Sequence, residues 1–133
     1  MKTRMFETLN IEPGKKNSIL LAAIAYFGNF ILPVLAPIIV YLISKEDKYA
    51  KFHAIQSFCI LLFVHLPLAT VFIILYSMTE TWEPTTALIF ITACVLIILI
   101  INALFLVVGI FAVLGKTVRV PYPFMTDFIS WFI

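Results

Sequence analysis

Three long stretches of the chain contain no aspartate, glutamate, lysine or arginine: Asn17–Ser44, His53–Thr79 and Pro84–Gly115. A helix rises ~1.5 Å per residue, so about 20 residues cross ~30 Å of hydrocarbon, and each stretch is long enough for one crossing. Backbone groups in lipid must be paired, and the strands of a membrane barrel are shorter and alternate in polarity. The stretches therefore predict an all-α integral membrane protein with three transmembrane helices, at residues 18–43, 54–77 and 85–114.

The composition indicates the same class of protein. Of the 133 residues, 63% are apolar and 12% are charged, whereas soluble domains have about 45 to 50% and about 25%. Such an apolar excess requires a lipid bilayer as a partner. The nine basic and seven acidic residues nearly balance, which excludes a polyanion such as nucleic acid as a partner. We expect a single membrane domain over residues 1–133, with a polar N-terminal segment at 1–17.

Two prolines interrupt the first stretch. Pro33 and Pro37 remove two backbone donors, so the helix over 18–43 should kink or break there. An alternative is a re-entrant hairpin, in which both ends of the stretch lie on one side of the membrane. Residues 124–133, after the third helix, combine aromatic and polar side chains. They predict a short interfacial C-terminal helix anchored by Trp131.

The distribution of basic residues predicts the topology. The loop over 45–52 contains three lysines, and the C-terminal tail contains Lys116 and Arg119. The loop after the second helix contains only Glu80 and Glu83. Because basic loops favour the cytoplasmic side, we expect a multi-pass protein with the 45–52 loop and the C-terminus in the cytoplasm. A single first span would place the N-terminus outside, whereas the hairpin would place all nine basic residues inside.

Three polar side chains lie inside the predicted spans: Asn29, His65 and Asn102. Such residues either line a functional path or hydrogen-bond a neighbouring helix. The first case would be a small transporter or channel built as a homo-oligomer, because three helices do not readily enclose a pore. The sequence contains no catalytic motif, cofactor-binding loop or metal-ligand spacing. We therefore expect no enzymatic activity, no cofactor and no metal.

Several segments resemble a known family. The run KFHAIQSFCILLFVHLP at Lys51–Pro67 and the run LGKTVRVPYPFMTD at Leu114–Asp127 are similar to motifs of the twenty-kilodalton subunit of the chloroplast inner-envelope protein translocon and of its small prokaryotic relatives. The preceding LPVLAPIIVYLISKED also resembles the prokaryotic members. The resemblance implies a non-catalytic subunit or assembly factor of a larger complex in a prokaryotic plasma membrane. Such a protein would take part in protein translocation or membrane biogenesis. Its partners would be other membrane protein subunits.

The same resemblance singles out a set of positions as a structural motif or partner contact: Phe52, His53, Gln56, Gly115, Pro121 and Asp127. Prolines in the Gly115–Pro121 turn leave carbonyls without helical partners, and its glycine permits close approach. We therefore expect His53 and Gln56 to hydrogen-bond the backbone of this turn and to hold the second helix against the third.

Overall fold

The computed structural model describes residues 7–9, 11, 13–14, 16–120, 129 and 132. Five α-helices form most of this part of the chain: α1 Lys16–Phe27, α2 Leu35–Ile43, α3 Lys48–Ile60, α4 Leu66–Ser77 and α5 Pro84–Val113. Short 3-10 turns cover Gly28–Phe30 and Thr79–Thr81, and a π-helical turn covers Leu61–His65. Two strands complete the described elements: β1 Glu7–Leu9 and β2 Thr117–Arg119. The expected all-helical character is therefore confirmed, with a small strand pair added.

Within the described residues, two helical segments are long and apolar enough to cross a membrane: Lys48–Thr81, with 34 residues, and Pro84–Val113, with 30. The second agrees closely with the predicted helix at 85–114. The first begins earlier than the predicted residue 54, because the Asp47 side chain accepts a hydrogen bond from the backbone N–H of Ala50 at 3.1 Å and so caps the helix. The three lysines near this point, which indicated a loop, occupy the turn before α3 and its first turns.

The first apolar stretch folds back on itself. α1 and α2 are 12 and 9 residues long, or about 18 and 14 Å, and neither reaches across ~30 Å of hydrocarbon. Ala25 of α1 packs with Val40 of α2. The start of α1 and the end of α2 line one cavity. The expected single kinked helix over 18–43 is therefore wrong, and the chain adopts the fold-back of the alternative interpretation.

The turn between α1 and α2 shows why the helix breaks. Pro33 has no N–H to continue the ladder, and Val34 adopts a left-handed φ of 70°. The N–H of Val34 is satisfied by the side-chain oxygen of Asn29 at 3.2 Å. A Cβ on Gly28 would lie 2.8 Å from the Cβ of Ala36, so the absence of a side chain allows the two helices to meet closely.

A short antiparallel ladder joins the two ends of the described chain. Glu7 pairs with Arg119, Thr8 with Val118 and Leu9 with Thr117. The segment before α1 and the segment after α5 therefore lie side by side. The sequence did not predict this ladder, because three-residue strands give almost no periodic signal.

The packed core lies at the end of the molecule that carries this ladder. It contains buried apolar residues of α1, α3 and α5, together with Ile129 near the C-terminus. They are Ala22, Tyr26, Tyr49, Phe52, Ile55, Cys59, Ile60, Phe105, Val108, Ala112 and Ile129. By contrast, none of the described residues 61–104 is buried. The far halves of the two long helices therefore present apolar side chains outward, as helices in lipid do.

The predicted interfacial helix at 124–133 lies mostly outside the described residues, together with Pro121 and Asp127. The side chain of Ile129 is buried in the core. The ring of Phe132 lies 6.5 Å from that of Tyr41 on α2. These two contacts show that the end of the chain returns to the packed half of the molecule.

Candidate functional site in a buried polar cluster

A cluster of polar side chains lies inside the core where α1 packs on α3. We refer to it as the polar cluster; each of its members is less than a tenth exposed, and they are Tyr26, Asn29, His53, Gln56 and Ser57. Buried polar groups are stable only when hydrogen bonds replace their contacts with water. The geometry of these bonds therefore determines how the helices can be arranged.

Gln56 links three elements. Its side-chain amide donates to the hydroxyl oxygen of Tyr26 at 3.1 Å and to the backbone carbonyl of Val118 at 2.9 Å. Tyr26 is on α1, Gln56 on α3 and Val118 on β2, so one amide group holds α1, α3 and the segment after α5 together. The predicted bond from Gln56 to the Gly115–Pro121 turn is present.

His53 makes no hydrogen bond to the described residues of this turn, 115–120; its hydrogen bond is made to α1 instead. The Nδ1 atom lies 3.2 Å from the Tyr26 hydroxyl. Because that hydroxyl oxygen already accepts from Gln56, we assign its proton to the bond with Nδ1 and the ring proton of His53 to Nε2. The imidazole is enclosed by the rings of Tyr49 and Phe52, with centroids at 4.5 and 5.2 Å. Over the described part of the turn, the predicted bond from His53 is therefore wrong, because its Nδ1 atom meets the Tyr26 hydroxyl of α1.

Two atoms of the polar cluster, His53 Nε2 and Gln56 Oε1, have no hydrogen-bond partner within the described part of the chain. An unpaired buried polar atom costs about 1 to 3 kcal/mol. For Gln56, reversing the amide would bring its oxygen against the Val118 carbonyl, so the observed orientation is the better of the two. The two unpaired atoms lower the stability of the fold, whereas the hydrogen bonds of the polar cluster favour one arrangement of the helices.

Asn29 and Ser57 form the second half of the polar cluster. The Asn29 amide donates to Ser57 Oγ at 2.7 Å and to the Ala25 carbonyl at 2.9 Å. Ser57 Oγ donates to the same carbonyl at 2.6 Å. Since the Asn29 oxygen also accepts from Val34, this residue connects the end of α1, the start of α2 and the middle of α3.

Gly115 ends α5 in a Schellman motif. Its φ is +73°, the Lys116 N–H donates to the Phe111 carbonyl at 2.9 Å, and the Gly115 N–H donates to the Ala112 carbonyl at 3.2 Å. This turn directs the chain into β2, where Gln56 meets the Val118 carbonyl. The glycine therefore positions the acceptor that the polar cluster uses.

The other intramembrane polar residues lie outside the polar cluster. Asn102 donates to the Ile98 carbonyl of its own helix at 2.8 Å. His65 Nδ1 lies 3.4 Å from the Ile60 carbonyl, next to the π turn, and its ring packs on Phe105 with centroids 5.8 Å apart. Neither side chain makes a hydrogen bond to another helix within the described residues. Asn29, His65 and Asn102 therefore share no polar network there.

Tyr26 and Tyr49 received no site role from the sequence. Tyr49 donates its hydroxyl proton to the Ala112 carbonyl at 2.6 Å, joining α3 to α5. Tyr49, His53 and Gln56 repeat at helical spacing on one face of α3. A polar stripe at that spacing, at the start of an apolar helix, was the signal that could have identified Tyr49.

The hydrogen bonds of the polar cluster join separate elements of the fold. The cluster is closed to solvent. Among the described residues, no group of three His, Cys, Asp or Glu side chains is placed to hold a metal. Cys59 and Cys94 are both free thiols. What the polar cluster does is fix α1 between the two long helices and tie β2 to α3.

A second polar feature lies at the opposite end of the long helices, in the loop between α4 and α5. Glu80 and Glu83 are both exposed there, and they are the only Asp, Glu, Lys or Arg side chains between residues 52 and 115. The Thr86 hydroxyl lies 3.4 Å from a carboxylate oxygen of Glu83. We refer to residues 78–83 as the acidic loop.

Two long apolar helices, a fold-back hairpin and an apolar half without buried residues together define a small helical protein of the membrane-associated class. The chain belongs to the magnetosome magnetite crystal formation protein family (MamF/MmsF), whose sequence model matches residues 15–129. Comparisons with curated proteins and with solved structures give no match.

This membership corrects the resemblance to the translocon subunit. The motifs that carried the resemblance were short, and the structure accounts for their central residues. Phe52, His53 and Gln56 are buried side chains at the start of a helix, and Gly115 is a helix cap. Requirements of that kind recur in unrelated membrane proteins, so short motifs of this type do not identify a family.

Proposed function

We propose that this protein is a non-catalytic component of the magnetosome membrane that influences the growth of magnetite crystals. The observation that carries the proposal is the family match over residues 15–129, which covers most of the chain. We propose the lipid bilayer and other membrane subunits as its partners. A role in protein translocation has no support from the family.

We propose that the acidic loop is the part that meets the mineral or its precursor ions. Glu80 and Glu83 are exposed and stand between two long apolar helices. Carboxylate oxygens are common ligands of iron in proteins. The lysines at the other end of the helices would repel iron cations.

The proposed topology places the acidic loop in the magnetosome lumen and the packed end in the cytoplasm. The pairing of β1 with β2 supports an even number of membrane crossings between residues 9 and 117, because it brings the two segments to the same side. The α1–α2 hairpin is too short for two crossings, which leaves the segments Lys48–Thr81 and Pro84–Val113. The positive-inside rule then assigns the lysine-rich end to the cytoplasm.

Cysteine accessibility tests this topology. In a chain with Cys59 and Cys94 replaced by alanine, single changes Gly14→Cys, Glu80→Cys and Lys116→Cys are labelled with a membrane-impermeant maleimide. All three positions are exposed, and a Cβ at position 14 would meet no atom within 4 Å. Two crossings predict the same side for positions 14 and 116 and the opposite side for 80. Labelling of 14 and 80 from the same side would support three crossings instead.

The proposed function is tested by forming magnetite from iron(II) and iron(III) in the presence of the protein in lipid nanodiscs. Electron microscopy then measures the particle size distribution. We expect Glu80→Gln with Glu83→Gln to shift the distribution to that of empty nanodiscs. Glu46→Gln, which removes an exposed carboxylate from the opposite end, is the matched control and should keep the wild-type distribution. Equal effects of the two variants would contradict a role for the acidic loop.

A further inference from the structure

An apolar groove runs between α2 and α3 on the outside of the packed end. Its volume is about 160 Å³, and side chains of both helices and the end of the chain line it: Pro37, Ile38, Tyr41, Ala54, Ile55, Phe58 and Phe132. The groove lies outside the polar cluster and far along the chain from the acidic loop. Neither the family description nor the proposed function gives it a role.

A lysine stands at the polar end of this groove. Lys51 precedes Ala54, Ile55 and Phe58 by three, four and seven residues, so it belongs to the same face of α3. Its ammonium nitrogen lies 5.7 Å from the centre of the Tyr41 ring, which lines the groove.

This combination matches the two parts of a phospholipid. An acyl chain needs an apolar channel, and an anionic headgroup needs cations where the channel meets the membrane surface. Basic pockets between membrane helices on the cytoplasmic side are typical binding sites for anionic lipid headgroups. A purely apolar partner would leave the lysine unused, and a soluble anion would leave the groove unused.

We propose that the groove binds one acyl chain of an anionic phospholipid, whose phosphate is held by Lys51. The lipid would cover the open side of the α1–α2 hairpin and brace it against α3. Lys51 has a double role in this arrangement, because its ammonium group lies over the Tyr41 ring and would also bind the phosphate. The site does not depend on any activity towards magnetite.

Native mass spectrometry of the detergent-purified chain tests the proposal. The protein is titrated with phosphatidylglycerol or with phosphatidylcholine of identical acyl chains. We expect one molecule of phosphatidylglycerol to be retained in preference. Lys51→Gln should weaken its binding about fivefold, which corresponds to about 1 kcal/mol for one lysine near a lipid headgroup. Binding of phosphatidylcholine should change little.

Lys48→Gln is the matched control for charge. Lys48 lies in the first turn of the same helix but lines the polar cavity beside Asn17 and Ser44, not the groove. It should leave the binding of phosphatidylglycerol within twofold of wild type. Equal losses from Lys48→Gln and Lys51→Gln would show attraction by net charge alone and would overturn the proposal.

A second pair of variants tests the acyl chain. Ile38→Trp fills the groove and should weaken the binding of phosphatidylglycerol, whereas Leu42→Trp, at a more exposed position of α2 outside the groove, should not. Glycerol phosphate, which has the headgroup chemistry without acyl chains, should not displace the lipid at equal concentration. Displacement by glycerol phosphate, or a lipid-free dimer as the main species, would contradict a lipid in the groove.

Discussion

Replacing Gln56 by leucine isolates the hydrogen bonds that tie β2 to α3. Leucine has nearly the volume of glutamine, so the change removes the amide without opening a large cavity. The Val118 carbonyl loses a donor at 2.9 Å, and the Tyr26 hydroxyl loses a donor at 3.1 Å. Tyr26 keeps its bond with His53. The loss of a hydrogen bond at the Val118 carbonyl is therefore the main cost of the substitution.

The magnitude follows from the balance of gains and losses. A buried acceptor left without its donor costs about 1 to 3 kcal/mol. The variant also removes Gln56 Oε1, which has no partner within the described residues, and this offsets a part of the loss. We expect a net destabilisation of about 1 to 2 kcal/mol, which lowers the melting temperature of a chain of this size by about 3 to 8 °C.

Thermal unfolding in detergent, followed by circular dichroism, measures this change. Hydrogen exchange should also quicken at Thr117–Arg119, because β2 loses its attachment to α3. His65→Leu is the matched control: its hydrogen bond is long, at 3.4 Å, and stays within one helix, so a change of less than about 0.5 kcal/mol is expected. A Gln56→Leu protein that melts within 1 °C of wild type, or no lower than His65→Leu, would refute the role assigned to Gln56.

Three further substitutions test other contacts by the same melting assay. Tyr49→Phe removes a 2.6 Å bond to a carbonyl of α5 and should cost about 1 to 2 kcal/mol, whereas exposed Tyr76→Phe should change little; equal shifts would contradict the bond. Gly115→Ala has room for its methyl group but keeps a φ of +73°, so we expect a loss of about 1 to 2 kcal/mol from backbone strain alone. Gly28→Val would place its Cβ 2.8 Å from a side-chain carbon of α2 and should cost about 1 to 3 kcal/mol. A stable Gly28→Val protein would show that α1 and α2 need not touch there.

The sequence predicted the part of the site that depends on local pattern. Gln56 and Gly115 were singled out, and Gln56 does bond the segment that follows Gly115. His53 was assigned to the same turn, but its bond goes to Tyr26 on α1. His53 and Gln56 both lie in α3, and the sequence alone allows each of them several carbonyl or hydroxyl partners. Which of them each residue meets depends on where α1 lies, and no local pattern contains that information.

The sequence alone determined where the second and third apolar segments form helices. Their uncharged length exceeds the width of a bilayer, and α5 begins at Pro84 and ends before Gly115, residues that act through their own backbone. Tertiary structure decided what the first apolar stretch does. Pro33 and Pro37 permit either a kink or a reversal of the chain. The same pattern of apolar residues is compatible with both arrangements.

The reversal is selected by contacts between residues far apart in the chain. Asn29 bonds Ser57, and β1 pairs with β2 across more than a hundred residues. The first contact holds the turn of the hairpin on α3, and the second holds the start of the hairpin beside the end of α5. These contacts stabilise the reversal only when α1, α3 and β2 are assembled together, because each buried polar group needs a partner from another element. The hairpin is therefore a property of the assembled fold, whereas the two long helices follow from their own residues.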